Sequence, residues 1–234
     1  MVLFALLGCS SMQTEQSNAT YAITRLLFED NFDWPDSSAW VVESEENLKL
    51  IGLVHDGNLD VDVSKGITIW NTKTFPGNAM YEYRITAIES GGKNDRVSDL
   101  NCFWMATDPL NPSDFFARSS WRGGVFHHYY TLSLYYVGFG GHDNSRTRFR
   151  RYNGKTSPPP IIKEYNDSGH LIEPNKENVV RIVCLNGLVK YYFNEELLFE
   201  LNDENPHAAG YFGFRTTNNH VRIHDFKVYS IQAR

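Results

Sequence analysis

Residues 186–199 read Asn186-Gly187-Leu188-Val189-Lys190-Tyr191-Tyr192-Phe193-Asn194-Glu195-Glu196-Leu197-Leu198-Phe199: a strand, a turn and a short strand returning. Asn-Gly accepts the positive φ of a tight hairpin turn, and the residues after it are of the β-branched and aromatic kind that suits a pleated sheet. Val179–Leu185, just before the turn, is a run of the same type, so Asn186-Gly187 joins two strands. Working outward, the same signal recurs at Leu26–Phe32, Gly57–Val63 with Ile67–Asn71, Met80–Ala87, Leu100–Ala106, Tyr129–Val137 and Thr147–Tyr152. After the hairpin come Tyr211–Arg215 and Val221–Tyr229. Turn clusters such as Ser90-Gly91-Gly92 and Gly140-Gly141-His142-Asp143-Asn144 separate the runs. No stretch carries a sustained helical period with caps. The expected fold is all-β, two antiparallel sheets packed face to face.

The 234 residues contain no Pro-, Ser- or Gly-rich linker, so one domain is expected over residues 25–234, after a leader and tether over 1–24. Aromatic residues make up 14% of the chain, ample for a core, and the mean hydropathy of -0.41 excludes a polytopic membrane protein. A net charge of -6 argues against phosphate-backbone binding, so nucleic acid is not an expected partner. The first residues, Met1-Val2-Leu3-Phe4-Ala5-Leu6-Leu7-Gly8-Cys9, resemble the lipobox of bacterial lipoproteins. That resemblance implies acyl chains on Cys9, attachment to a membrane through the lipid only, and a cell-envelope location facing the periplasm or displayed on the outer membrane. Cys102 and Cys184 then remain, to pair or to stay as buried thiols.

Chemistry concentrates at 118–152, where Arg118, Arg122, Arg146, Arg148, Arg150 and Arg151 stand against one acid, Asp143. Trp121, His127, His128, His142 and Tyr129, Tyr130, Tyr135, Tyr136 and Tyr152 interleave with them. Alternate residues of a strand share a face, so with Phe149 turned inward Arg148, Arg150 and Tyr152 project outward together. Guanidinium groups in a row suit carboxylate or sulfate, whose paired oxygens match the planar fork. A second constellation surrounds Phe212 and Phe214: with these two in the core, Tyr211, Gly213 and Arg215 face outward, Gly213 leaves room for a ligand, and Asn219 and His220 lie at the strand's exit. Asn101 and Trp104 of Asn101-Cys102-Phe103-Trp104-Met105 are further candidates for the same face. No pattern of Cys or His at metal-ligand spacing is present, and no metal or cofactor is expected. Phosphate loops and a GxSxG elbow are absent, and the arginine-rich region lacks the carboxylate pair of a retaining glycosidase.

The hairpin at 186–199, the strand Gly210–Arg215 and the closing His224–Tyr229 resemble the last strands of concanavalin A-like jelly-roll sandwiches, a likeness spanning residues 25–231. The run Tyr135-Tyr136-Val137-Gly138-Phe139-Gly140-Gly141 resembles more narrowly a concanavalin A-like family of exported Bacteroidetes lipoproteins from polysaccharide-degradation loci, as do Thr147–Tyr152, Leu100–Ala106 and Arg215–His220. The resemblance implies a dehydratase or lyase acting on uronic-acid oligosaccharides such as those of ulvan, so the expected partner is an acidic oligosaccharide. Elimination from a uronate needs its carboxylate neutralised and a base and an acid placed on either side of the breaking bond. On chemistry, Arg148, Arg150 and Arg215 are expected to neutralise, with Tyr129 or His128 as base and Tyr135 or His220 as acid. Asn101, Trp104, Arg122, Tyr152 and Asn219 are expected to bind substrate. The alternative is a non-catalytic, lectin-like module holding an acidic glycan with the same groups.

Overall fold

The computed structural model describes residues 21–155 and 157–234; Cys9 and most of the expected tether lie outside them. Among the described residues fourteen strands occur, in the order β1 (Tyr21–Asp30), β2 (Trp40–Ser44), β3 (Val54–His55), β4 (Asn58–Asn71), β5 (Phe75–Pro76), β6 (Ala79–Ala87) and β7 (Asn101–Thr107). There follow β8 (Ser133–Gly140), β9 (Arg146–Asn153), β10 (Ile161–Tyr165), β11 (Asn178–Leu185), β12 (Leu188–Phe193), β13 (Glu196–Asn202) and β14 (Ala209–Ala233). Hydrogen bonding builds a front layer β2-β4-β14-β7-β8-β9-β10 and a back layer β1-β14-β6-β11-β12-β13. The long β14 belongs to both. Its register shifts between Thr217 and Asn219, where Asn218 is left-handed (φ 43), and again between His224 and Lys227. Such bulges turn a strand and reverse which face its side chains take.

Between the layers lies the main core. Trp104 stacks on Phe149 with centroids 5.9 Å apart, Trp40 stacks on Phe214 at 5.6 Å, and Phe212 packs against Tyr81 and Phe226. Each such ring contributes on the order of 1.5–3 kcal/mol by leaving water. Cys102 and Cys184 are free thiols in this core, each pushed up to about 12 by burial.

A second apolar cluster lies on the opposite, outer face of the front layer, where Trp70, Phe103, Leu134 and Tyr152 meet Phe115, Tyr129 and Leu132. These last three belong to an excursion between β7 and β8, a cover made of short helical turns at Phe115–Arg118, Ser119–Arg122 and Phe126–Thr131. Gly123 (φ 46) and Gly124 (φ 85) end the middle turn in the left-handed region that glycine tolerates. The strand predicted from Tyr129 therefore starts later, at Ser133; Phe126–Thr131 is rich in aromatic strand formers but serves to cover the sheet.

Candidate functional site

Strand register sets two rows of side chains across the outer face of the front layer, because directly opposed residues of antiparallel strands share a face. One row runs Glu43, Thr68, Arg215, Asn101, Gly138, Arg148 and Glu164, from β2 to β10. The next runs Val41, Trp70, Gly213, Phe103, Tyr136 and Arg150. The first is polar apart from Gly138. The second is aromatic in its middle, and the cover lies over that part. Gly213 admits the Trp70 ring, which would lie 2.5 Å from a Cβ there, so its space holds protein and not a ligand.

One ion-pair network clamps the cover. Arg122 is fully buried, and its Nε and Nη2 donate to Glu43 Oε1 at 2.9 and 2.7 Å. Tyr129 donates to Glu43 Oε2 (2.7 Å) and Ser119 to Oε1 (2.7 Å), while Arg122 Nη2 also donates to the Phe115 carbonyl (3.0 Å). Asp108 adds a second carboxylate 3.5 Å from Arg122 Nη1. Buried charge is tolerated only when paired and hydrogen-bonded in this way.

Beyond the cover's edge, at Phe126 and Tyr130, the two rows meet around Tyr136. The Tyr136 ring packs on Phe126 (5.6 Å) and its phenol lies over Gly138, where a Cβ would come within 2.6 Å of the hydroxyl. The hydroxyl thus occupies the polar row between Asn101 and Arg148. Burial raises the phenol's pKa well above its ordinary value, nearby Asp99 adds to the rise, and Arg215 and Arg150 oppose it. Three guanidinium groups surround it. Arg148 donates Nε to Glu164, holding that carboxyl below the usual range, and Nη1 to His142 Nε2 (2.7 Å). Arg150 donates to the Pro159 carbonyl, and Arg215 to the Gly124 carbonyl and Thr68 Oγ1 (3.3 Å). Each guanidinium uses at most two of its five N–H groups in these bonds. Arginine is only a donor, so in this contact His142 presents a lone pair at Nε2. His142, Asp143 and Asn144 are all left-handed (φ 54, 56 and 54), in the turn joining β8 and β9 at the rim. Among the described residues, no group of three or more His, Cys, Asp or Glu is arranged to hold a metal ion.

The family described as a domain of unknown function, DUF6250, matches residues 61–226, a span that contains Arg215, Asn101, Tyr136, Arg148 and Arg150. The chain belongs to the DUF6250 family. No curated protein matches it in sequence. Among solved structures, a Bacillus subtilis protein of unknown function with a galectin-like fold superposes with a TM-score of 0.71 at 16% identity, covering 92% of this chain and 100% of that one. The endo-β-1,3-glucanase of Pyrococcus furiosus superposes with a TM-score of 0.59 at 12% identity, covering 90% and 95%. A prokaryotic β-1,3-1,4-glucanase (lichenase) derived from a mouse hindgut metagenome gives 0.55 at 13%, covering 91% and 99%. At these identities the likeness is one of fold: this DUF6250 chain is a jelly-roll, concanavalin A-like β-sandwich.

Of the residues expected to act, Arg148, Arg150, Arg215 and Asn101 are brought together on the outer face of the DUF6250 sandwich, and Phe149 is buried between the first two. The other expected positions are used differently, although the Tyr129 ring does lie 5.5 Å from the Arg215 guanidinium. Tyr129 is in a helical turn, not a strand, and is wholly buried beneath the cover with its hydroxyl on Glu43; burial and that carboxylate raise its pKa, which removes it as a base. His128 stacks on Trp121 (4.2 Å) and its Nδ1 donates to the Trp121 carbonyl (2.8 Å), away from the rows. Tyr135 points into the core and donates to Asp203 Oδ2 (2.5 Å). His220 lies between Asp60 (2.8 Å) and Asp95 (3.1 Å), past the β14 bulge. Trp104 is core, Arg122 is the cover's clamp, Tyr152 is buried under Tyr130, and Asn219 donates to the Ser98 carbonyl. None of these eight reaches the open part of the face. Tyr136, Asp99, His142 and Glu43 take up positions that sequence reasoning did not assign. Tyr136 was legible as the neighbour of Tyr135 on the opposite face. Glu43 left a fainter signal, a lone acid in the apolar run Trp40-Val41-Val42-Glu43.

Proposed function

We propose that the protein acts on a uronate-containing, ulvan-like oligosaccharide at the open part of the outer face, and that it does so by β-elimination. The observation that carries this reading is the Tyr136 phenol laid over Gly138, with Asn101 and Arg148 on either side and Arg150 and Arg215 in electrostatic range. Arg148, Arg150 and Arg215 would receive the carboxylate and stabilise the enolate that forms next to it. Tyr136, held as the neutral phenol, suits the acid. It would give its proton to the oxygen that departs with the electrons of the broken carbon–oxygen bond. His142 suits the base: drawn toward the ligand's carboxylate, Arg148 would release Nε2 to take the proton on the carbon beside that carboxylate. The carbon–carbon double bond forms as that proton leaves, and solvent returns it from His142 to Tyr136. The likeness of fold to two glucanases supports a carbohydrate ligand. By the same reading the domain is held at the cell envelope through acyl chains on Cys9, in keeping with the lipobox-like Leu6-Leu7-Gly8-Cys9.

A second reading, a non-catalytic module for acidic glycans, is favoured by one observation. All three arginines are already held by internal partners, as in a preorganised binding surface. One experiment separates the two. Wild type and Tyr136→Phe are incubated with uronate oligosaccharides while absorbance of the conjugated unsaturated uronate is followed in the ultraviolet. The elimination reading expects Tyr136→Phe to bind as wild type does and to turn over roughly 10²- to 10⁴-fold more slowly. Binding without unsaturated product from the wild type, across linkages, would leave the module reading standing alone.

A further inference from the structure

We propose that Asn101 acts at this site as an acceptor, taking a hydrogen bond from a ring hydroxyl of the ligand and so selecting its configuration; the inference rests on the oligosaccharide reading above. Asn101 stands directly opposite Arg215 and shares its face. It is 4% exposed. Its Nδ2 donates to Asp99 Oδ1 (3.1 Å), and the other oxygen of Asp99 is occupied by Ser98 Oγ (2.8 Å) and Arg96. An ionised carboxylate only accepts, so the amide has one orientation: nitrogen toward Asp99, oxygen away from it. Flipping the amide would set two acceptors against each other. The oxygen so directed, Oδ1, is buried and has no hydrogen-bond partner. An orphaned buried acceptor costs free energy, so this one calls for a partner.

The neighbours indicate what the partner is. Arg215, Arg148, Arg150 and the Tyr136 hydroxyl are donors, matched to the acceptor-only carboxylate and to the departing oxygen. Asn101 Oδ1 stands beside them as an orphaned acceptor in the same row. A uronate ring carries the complementary set, one carboxylate and several hydroxyl donors. Asn101 therefore does not help to neutralise the carboxylate, the role its amide nitrogen would have played. It reads a hydroxyl that stays on the ring, and sites built on such bonds discriminate strongly against analogues that cannot make them.

The test measures affinities of wild type, Asn101→Leu and Asp99→Asn for glucuronate, galacturonate, mannuronate and guluronate tetrasaccharides at low and high salt. Wild type is expected to separate the best and worst by roughly tenfold or more, one hydrogen bond's worth. Asn101→Leu should bring them to within about twofold while keeping salt-sensitive binding, because the arginines remain. Asp99→Asn, which removes the carboxylate that orients the amide, should lower the ratio without abolishing binding. If Asn101→Leu does not fold, Asn101→Ser and Asp99→Asn carry the test. A wild-type ratio kept by the folded variants, or a wild type that binds all four alike, overturns the inference. A wild type that binds none of them overturns the oligosaccharide reading itself, and this inference with it.

Discussion

Replacing Glu43 with Ala isolates the clamp that holds the cover on the sheet. The loss leaves the Arg122 guanidinium fully buried with only Asp108, at 3.5 Å, to oppose its charge. Breaking a buried pair by removing one partner costs about 3–5 kcal/mol, and Tyr129 and Ser119 also lose the acceptor they share. Removing both charges with Glu43→Leu and Arg122→Met should cost far less than the two single losses together, because an apolar pair of similar volume needs no compensation. Urea unfolding of the four proteins measures the cycle, and hydrogen exchange over residues 108–131 shows whether the cover opens before the sandwich does. The loss should be felt first at Trp70 and Phe103, which the cover buries. A Glu43→Ala cost below about 1 kcal/mol, or a double variant as unstable as the sum of the singles, would refute the clamp.

Three other expectations follow from particular contacts. Gly66→Ala sets a Cβ against the Gly124 carbonyl, Glu45 Oε1 (2.5 Å) and Arg215 Nη2 (2.6 Å), so it should cost ~1–3 kcal/mol in thermal unfolding and weaken anionic-ligand binding by moving Arg215. His207 is pushed from 6.5 down to about 4, first by burial and then by Arg151 beside it. The unfolded chain therefore binds more protons between these values, so stability is held above pH 6.5 and falls as pH drops toward 4, by ~3 kcal/mol at most. Replacing His207 with Leu should flatten urea midpoints between pH 6.5 and 5; an unchanged slope would clear His207. Cys9→Ser should move the protein from the membrane to the soluble fraction of the native host, and retention in the membrane would count against lipid anchoring.

The parts of this molecule legible in its sequence are those that local periodicity determines. Arg148-Phe149-Arg150 alternates, and the sheet obeys: Phe149 lies against Trp104 in the core and the arginines stand outside. Phe212 and Phe214 flanking Gly213 obey it too. The failures come where register depends on something distant. Tyr135-Tyr136 reads equally well with either ring inward; in the fold Tyr135 turns toward Asp203 and Tyr136 to the outer face, which moves the candidate acid by one residue. Asn219 and His220 were expected at the exit of the strand that carries Arg215, serving the same face, but the bulge at Asn218 turns them away, and no hydrophobic pattern marks a bulge in so polar a run.

Glu43 and Arg122 are 79 residues apart and meet only because β2 edges the front layer under the cover. This pairing has a consequence for the site. The clamp spends the most buried arginine of the basic stretch on holding Phe126 and Gly124 in place, and these two contact Arg215 by its cation–π approach to Phe126 (5.4 Å) and its bond to the Gly124 carbonyl. Arg122, which sequence reading assigned to the ligand, instead fixes the position of Arg215, another of the expected site residues. The basic stretch divides its work accordingly: Arg122 orders the cover, Arg151 ties Asp203 to the rim of the core at 2.6 Å, and Arg148 and Arg150 keep N–H groups on the open face. Charge counting alone reveals that the stretch is unusual, and only the strand registers reveal which of its cations share the outer face.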